Sequence, residues 1–204
     1  MTAPWASSTF VPPRAPWSLE DRAMAIRASF LLYHGFPTDL CGACAKASMA
    51  LRLFLGESAV LVVGEVAFRA PGCRTRWAEH AWLELEGHVV DATATQFGLQ
   101  PFIHVPREEL YIEPWNSLEA SPTRSVRYEP RLRGESAYGE VMDWHYNVRR
   151  HPGVYARTAL RVLRGDPVPV QLRRFWRRHV RQNGSLTVPS EIVPLVKPLL
   201  EGML

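Results

Sequence analysis

Residues 79–95, EHAWLELEGHVVDATAT, carry the clearest structural pattern in the chain. Apolar and polar residues alternate on both sides of Glu86-Gly87, which indicates two strands that each bury one face. A Glu-Gly pair between two such strands predicts a tight two-residue turn. In that register Leu85 pairs with His88. The segment therefore predicts an antiparallel β-hairpin.

The register of this hairpin brings a histidine and an aspartate together. Counting outward from the turn places Trp82 opposite Asp91, so His80 is diagonal to Asp91 on the same face. A carboxylate behind an imidazole holds it in one tautomer and stabilises it when it gains a proton. Glu84 shares the face of His80 and is a competing acid. A slip of one residue in the register would separate the pair.

The sequence around the hairpin predicts an α+β domain. The β-branched run AVLVVGEVAF at 59–68 indicates a buried strand, and residues 100–137 carry many prolines and charges that indicate loops with short elements. Helical patterns precede the strand at 19–34 and 44–55 and return after about residue 138. We therefore expect an irregular lead-in at 1–17, an α+β domain at 18–135 with helices packed on an antiparallel sheet, and a helical C-terminal extension at 136–204.

A cysteine pair precedes the second helix in the segment CGACAKAS at 41–48. Cys44 lies at the helix start, where unsatisfied N–H groups and the positive end of the helix dipole favour a thiolate. Gly42 lets the backbone turn there and exposes N–H groups around Ala43 that could hold an oxyanion. The alternative for Cys44 is a small buried apolar side chain without chemistry.

Composition limits the classes of protein to which the chain can belong. Its 204 residues are 47% hydrophobic and 22% charged, which fits one packed domain. No apolar run reaches the roughly 18–20 residues of a membrane span, and the N-terminus lacks a secretory signal pattern. We therefore expect a cytoplasmic protein, or one exported without a cleavable signal peptide. Three cysteines are too few for a disulfide framework, which directs attention to thiol or metal chemistry.

Two segments resemble known enzymes. The cysteine motif is similar to the nucleophile segment of papain-like proteases, in which the second cysteine attacks and opens a helix. Ala45 departs from that pattern, which has Trp or Tyr at this position. HAW at 80–82 and VDATATQF at 90–97 look like the His/Asp hairpin of transglutaminase-like proteins, whose chain order is also cysteine, histidine, aspartate. The resemblance covers about residues 40–98.

This resemblance implies a papain/transglutaminase-like fold and a triad of Cys44, His80 and Asp91. Such a triad acts on an amide bond of a protein or peptide through a thioester, as a peptidase, a glutamine deamidase or a transglutaminase-like acyl transferase. An intracellular processing enzyme and a contact-delivered effector toxin both fit. Gln96 is a weaker candidate for binding substrate or an oxyanion, beside an ordinary capping role. No cofactor is implied.

The remaining two cysteines allow other interpretations. In the papain-like pattern Cys41 is an auxiliary thiol, and Cys73 would be its only disulfide partner. Cys41, Cys44, Cys73 and His80 could instead hold a structural zinc ion, although the second C-x2-C or C-x2-H arm of common zinc sites is absent. We expect no metal at the triad itself.

The segment QLRRFWRRHVRQ at 171–182 predicts an amphipathic helix with an arginine-rich face. Such a face could bind nucleic acid or another anion, which would make the chain a basic binding module without catalysis. No aromatic residues interleave with the arginines on that face. We therefore expect a solvated helix surface rather than a nucleic-acid site.

Overall fold

The computed structural model describes residues 17–34, 42–69, 74–110, 125–143, 151–167, 169–183 and 193–195. They form an α+β fold in which N-terminal helices pack on a five-stranded antiparallel sheet and further helices follow in the C-terminal part. The elements are α1 (Leu19–His34), α2 (Cys44–Leu55), β1 (Val60–Arg69), β2 (Arg76–Leu85), β3 (His88–Asp91), β4 (Ile103–Pro106), α3 (Arg107–Leu110), β5 (Ser125–Arg133), α4 (Glu135–Asp143), α5 (Pro152–Arg164) and α6 (Val170–Asn183), with a 3-10 turn at Ala94–Phe97.

The sheet has the strand order β4-β3-β2-β1-β5. Side chains alternate between its two faces, so the sheet separates two apolar clusters. The larger cluster lies between the sheet and the helices and joins residues of α1, α2, α4, α5 and α6 to Leu61, Val63, Ala81 and Leu83. The smaller one, on the other face, contains Val62, Val66, Trp82, Val89, Phe97 and Tyr128.

The predicted hairpin register is confirmed. Leu85 pairs with His88 across the turn, and the strands β2 and β3 are antiparallel. Glu86 and Gly87 have φ angles of 49° and 81°. Positive φ at both central residues is typical of the tight turn that matches the twist of two paired strands.

The predicted helix boundaries of α1 and α2 are also confirmed. Before α1, Asp21 N donates to Ser18 Oγ and Ser18 N donates to the Asp21 carboxylate, which is a reciprocal cap. After α2, Gly56 N donates to Arg52 O at 2.8 Å with a φ of 78°. Glycine adopts that conformation without strain, so the helix ends there.

The C-terminal helices pack against α1. The ring of Tyr155 in α5 stacks on Phe30 with centroids 3.7 Å apart, and Trp176 Nε1 in α6 donates to Leu32 O at 3.0 Å. Leu172 and Trp176 are buried while Arg174 and Arg178 are exposed, so α6 is amphipathic as its sequence predicts. The division of the chain at 17 and 135 stays a prediction. Among the described residues, no helix combines the length and apolar character of a membrane span.

Strand β5 was not expected from its sequence, which indicated loops. It pairs with β1, and the register shifts by one residue between Val63 and Gly64, where Pro130 is the next partner. Proline is tolerated here because β5 is an edge strand with a bulge. Gly64 permits the close approach, since a Cβ at this position would lie 1.9 Å from Glu129 O.

Candidate functional site

The predicted site lies where β2 extends beyond β3. Within the described residues β3 pairs with β2 only through Leu83, Glu84 and Leu85, so the part of β2 that carries His80 has no β3 partner. α2 packs against β2. Ser48, one helical turn after Cys44, donates from Oγ to the carbonyl of Ala81 at 3.0 Å. This bond holds the start of α2 beside the strand of His80.

His80 and Asp91 are in contact, as the hairpin register predicts. His80 Nε2 donates to Asp91 Oδ2 at 2.6 Å, and both side chains are fully buried. Oδ1 of the same carboxylate accepts from Thr93 N at 2.6 Å and from Thr93 Oγ1 at 2.7 Å. Tyr128 OH donates to Oδ2 at 2.8 Å. Four donors therefore stabilise a buried carboxylate in its charged form.

Burial and charge oppose each other in this pair. Burial disfavours the charged carboxylate, but the His80 charge and the hydrogen bonds from His80 and Thr93 hold the pKa of Asp91 below its ordinary value. Burial also disfavours the charged imidazole, yet the charges of Asp91 and Cys44 and the hydrogen bonds to both raise the pKa of His80 to about 10. The ring is therefore a strong proton acceptor held against a fixed anion.

Cys44 lies at the other side of this imidazole. It is the first residue of α2, it is 2% exposed, and it lies near enough to His80 to raise the pKa of the ring. Because Nε2 donates to Asp91, Nδ1 is the ring nitrogen that is left for the thiol. Gly42, with a φ of 74°, makes the turn before the helix. The structure thus brings the three residues of the predicted triad together.

The start of α2 has N–H groups that a substrate could use. Its N-cap is Ala43, which is buried and offers no side-chain hydrogen bond. The first intrahelical bond runs from Ala47 N to Ala43 O at 2.9 Å. The N–H groups of Cys44 and Ala45 precede that bond and point toward the helix start, where anions are stabilised. An oxyanion role for this backbone stays a prediction.

Three aromatic rings surround the imidazole of His80. Phe97 and Tyr128 contact it edge-on, with ring centroids 4.8 Å and 5.9 Å away. Trp82 stacks on it with a centroid distance of 6.1 Å. These rings exclude water from the His80–Asp91 pair. Electrostatic interactions are stronger in such an environment than in solvent.

Gln96 also reaches the ring. Its Nε2 lies 3.2 Å from His80 Nδ1 and 3.1 Å from Thr93 O. By contrast, Glu84, the competing acid in the sequence, forms ion pairs with Arg133 at 3.1 Å and Arg107 at 3.7 Å. The acid that contacts His80 is Asp91 and not Glu84.

The zinc and disulfide predictions involve Cys41 and Cys73, which lie outside the described residues. Among the residues that the structure describes, no group of three or more His, Cys, Asp or Glu side chains could hold a metal ion. His80 already donates from Nε2 to Asp91. Ligation of zinc through Nε2 would require this bond to break.

Sequence reasoning missed three residues of the site: Ser48, Thr93 and Tyr128. A local signal existed for Thr93, because Asp-x-Thr segments often form hydrogen bonds between the carboxylate and the residue two positions later. Tyr128 had no such signal, since it contacts Asp91 from β5 across 37 positions of sequence.

Comparison of the chain with family models, with curated proteins and with solved structures finds no significant match. The resemblance to papain-like and transglutaminase-like enzymes therefore depends on the short motifs alone.

Tyr128→Phe tests the contribution of one of the four donors to the Asp91 carboxylate, the Tyr128 hydroxyl. Removing a hydrogen bond to a buried charge is expected to cost about 1.5–3 kcal/mol of unfolding free energy. It should also raise the pKa of Asp91, so the acid limb of Cys44 reactivity moves to higher pH. Urea unfolding measures the change in unfolding free energy, and the pH dependence of Cys44 alkylation measures the shift of the acid limb.

The matched control is Tyr33→Phe, because Tyr33 OH bonds Thr158 in the interface of α1 and α5, away from the carboxylate. It should lose some stability and leave the acid limb in place. If Tyr128→Phe leaves the acid limb unchanged, the hydroxyl contributes to stability and not to the pKa of Asp91.

Proposed function

We propose that the chain is a cysteine-nucleophile enzyme of papain/transglutaminase-like fold that acts on an amide bond. One observation carries this proposal: Cys44 begins a helix and lies near enough to His80 to raise the pKa of the ring, and His80 Nε2 is hydrogen-bonded to the buried carboxylate of Asp91. Attack by a thiol requires a nucleophile, a base beside it and an acid that orients the base. Cys44, His80 and Asp91 are arranged in that order.

The first half-reaction forms a thioester. Because the pKa of His80 is raised, the resting pair has the thiol proton of Cys44 on His80 Nδ1. The thiolate attacks the carbonyl carbon of the amide while the π electrons of the C–O bond move to oxygen. When the tetrahedral intermediate collapses, the C–N bond breaks and Nδ1–H protonates the leaving nitrogen. The products are an acyl-thioester on Cys44 and a free amine, or ammonia when the substrate is a glutamine side chain.

Asp91 orients the ring during these proton transfers. Its carboxylate accepts from Nε2–H and so keeps the lone pair of the neutral ring on Nδ1, toward the sulfur. The same charge stabilises the imidazolium that forms. The backbone N–H groups of Cys44 and Ala45 at the start of α2 are the donors nearest to the nucleophile for the oxyanion.

The second half-reaction regenerates the thiol. If water attacks the thioester, the neutral ring accepts its proton and the product is a carboxylic acid, as in a peptidase or deamidase. If an amine attacks, the product is a new amide, as in cross-linking. The acyl donor in either case is a protein or peptide.

Acylation by an activated ester tests this proposal without knowledge of the substrate. Wild-type protein is mixed with p-nitrophenyl acetate at neutral pH and followed by intact-mass and peptide mass spectrometry. We expect a burst of p-nitrophenol and one acetyl group on Cys44, because acyl-enzyme formation precedes hydrolysis. Added amine should shorten the lifetime of the adduct if the enzyme is a transferase.

The informative variants are Cys44→Ser and His80→Gln, since glutamine keeps a donor for Asp91 but cannot act as a base. Both should lose the burst, while His104→Gln, which changes an exposed histidine, should keep it. Equal acylation of all three cysteines would contradict the proposal. So would a stoichiometric zinc ion in protein purified without added metal, together with unreactive thiols.

A further inference from the structure

The sheet extends beyond the helices that cover one of its faces. In the described ranges, the apolar cluster beneath the helices does not continue past Val63 on β1 or before Ala81 on β2. Four positions further out, Ala67 of β1 pairs with Trp77 of β2 on one side and with Arg127 of β5 on the other. Side chains alternate along a strand, so these three residues share the face of Val63 and Ala81. They form a row across three strands outside that cluster.

Arg127 is buried in this row without enough acceptors. It is 9% exposed, and its Nη2 forms an ion pair with Glu129 at 2.9 Å. Its Nε and Nη1 are buried and have no hydrogen-bond partner in the part of the chain that the structure describes. Buried polar groups are nearly always hydrogen-bonded, and a buried charge is costly unless its donors are satisfied. The guanidinium therefore has donors for an acceptor that the chain itself does not supply.

A second buried polar group lies one row further along the same face. Thr75 Oγ1 is buried and forms no hydrogen bond within the described ranges. Thr75 is two positions before Trp77, and the register of β1 and β2 places it beside Arg69. Arg69 adds a positive charge from the central strand of this region. Two separate polar groups on neighbouring strands thus call for an acceptor at one place on the sheet.

The acceptor that fits these groups is a carboxylate. Guanidinium N–H groups and a hydroxyl bind anionic oxygens with short, strong hydrogen bonds. The row on the other side of Arg127 consists of Glu129, Glu65 and Glu79. Their charges oppose a dianion such as phosphate more than a singly charged group. Trp77 is 47% exposed, so a ligand can approach this region from the side of β2.

The distance to the proposed nucleophile suits a peptide. Gly64 pairs with His80 and Ala67 pairs with Arg127, so Arg127 lies three positions along and two strands across from His80. With about 3.4 Å per residue and 4.8 Å between strands, their Cα atoms are about 14 Å apart. An extended chain covers that distance in about four residues.

We propose that Arg127 and Thr75 bind an acidic side chain of the acyl donor, about four residues from the amide that Cys44 attacks. The carboxylate accepts from the guanidinium of Arg127 and from the hydroxyl of Thr75. It supplies the acceptors that both groups lack, and it selects among peptides without taking part in the chemistry at the thiol. This role rests on the proposed function, since it requires acyl transfer to Cys44.

Two esters that differ by one charge test this role. Mono-p-nitrophenyl dodecanedioate carries a carboxylate at the far end of an extended chain of similar reach, and its methyl ester has the same chain without the charge. The second-order rate of Cys44 acylation is measured for each at low micromolar concentration from release of p-nitrophenol. We expect the acid to react at least about 10-fold faster, the contribution of one hydrogen bond to a charged group.

The variants assign this preference to the two residues. Arg127→Gln should abolish it, and Thr75→Val, which keeps the shape of the side chain, should reduce it. Both should acylate with p-nitrophenyl acetate at the wild-type rate. Arg76→Gln is the control, because Arg76 is an exposed arginine of β2 on the opposite face and its loss changes the net charge equally. It should keep the preference. If Arg127→Gln does not fold in thermal unfolding, Thr75→Val still decides the question.

The outcomes separate this role from the proposed function. Equal rates for the two esters in the wild type, or a preference that persists in both Arg127→Gln and Thr75→Val, would overturn the carboxylate site while leaving Cys44 chemistry intact. Loss of the preference in millimolar phosphate, but not in chloride of equal ionic strength, would assign the site to phosphate and overturn the choice of a carboxylate. Acylation by neither ester, or acylation that survives Cys44→Ser, would overturn the proposed function itself.

Discussion

Asp91→Asn is expected to lower the rate of Cys44 acylation by about 10³–10⁴-fold while the protein stays folded. The reason lies in the donors around the carboxylate. Thr93 N is an obligate donor at 2.6 Å from Oδ1, so the amide oxygen of an asparagine must occupy that side. Its NH2 group then faces Nε2 of His80, which is itself a donor in the native site.

Two facing donors cannot remain in contact in a buried site. The ring can resolve the conflict by moving its hydrogen from Nε2 to Nδ1, so that Nε2 accepts from the new amide. In that tautomer Nδ1 has no lone pair for the thiol proton, and Cys44 loses its base. The substitution therefore acts through the tautomer of a ring that keeps its position.

Acylation by p-nitrophenyl acetate measures the loss, and ¹⁵N chemical shifts of the His80 ring measure the tautomer directly. Asp166→Asn is the control, because Asp166 follows α5 outside the site and should change neither. An Asp91→Asn variant that acylates at the wild-type rate with its hydrogen still on Nε2 would contradict the role given to Asp91.

Gly64→Ala is expected to destabilise the fold by at least about 3 kcal/mol, beyond the usual cost of overpacking a core. A Cβ at position 64 would lie 1.9 Å from Glu129 O and 2.9 Å from Cη2 of Trp82. The first neighbour is backbone of the paired strand β5, which cannot move aside as a flexible side chain can. β1 and β5 would have to separate at the bulge.

The same strand carries Tyr128, so separation of β5 also withdraws a donor from Asp91. We therefore expect a lower urea midpoint together with reduced Cys44 acylation in any folded fraction. Gly139→Ala is the matched control: it lies in α4, and no atom beyond its chain neighbours and the adjacent helix backbone lies within 4 Å of the added carbon. Alanine favours a helix, so this variant should gain up to about 1 kcal/mol. Equal stability of the two variants would show that the bulge tolerates a side chain.

Much of the site could be predicted from local sequence patterns. Alternation on both sides of Glu86-Gly87 fixed the hairpin register, and from that register the contact of His80 with Asp91 followed by counting. The start of α2 at Cys44 was also predictable, because Gly42 favours a turn just before a run of helix-forming residues. These are short-range signals, and each depends on fewer than about fifteen residues.

The contacts that complete the site are long-range and were not predictable. SVRYEPRLR at 125–133 contains a proline and many charges, so its sequence indicated a loop, and only pairing with β1 makes it a strand. Tyr128, which reaches Asp91 from that strand, was therefore missed. Ser48 was missed for a similar reason, since its partner is a backbone carbonyl 33 positions away.

The most direct test of a Cys44–His80 pair is the pH dependence of Cys44 acylation in the wild type and in His80→Gln. The imidazole should make Cys44 react well below pH 8.5, the range in which an ordinary thiol ionises, while Cys41 and Cys73 stay slow. In His80→Gln that advantage should vanish, and Cys44 should react no faster than a free thiol at any pH. Identical profiles in the two proteins would show that sulfur and imidazole do not share a proton.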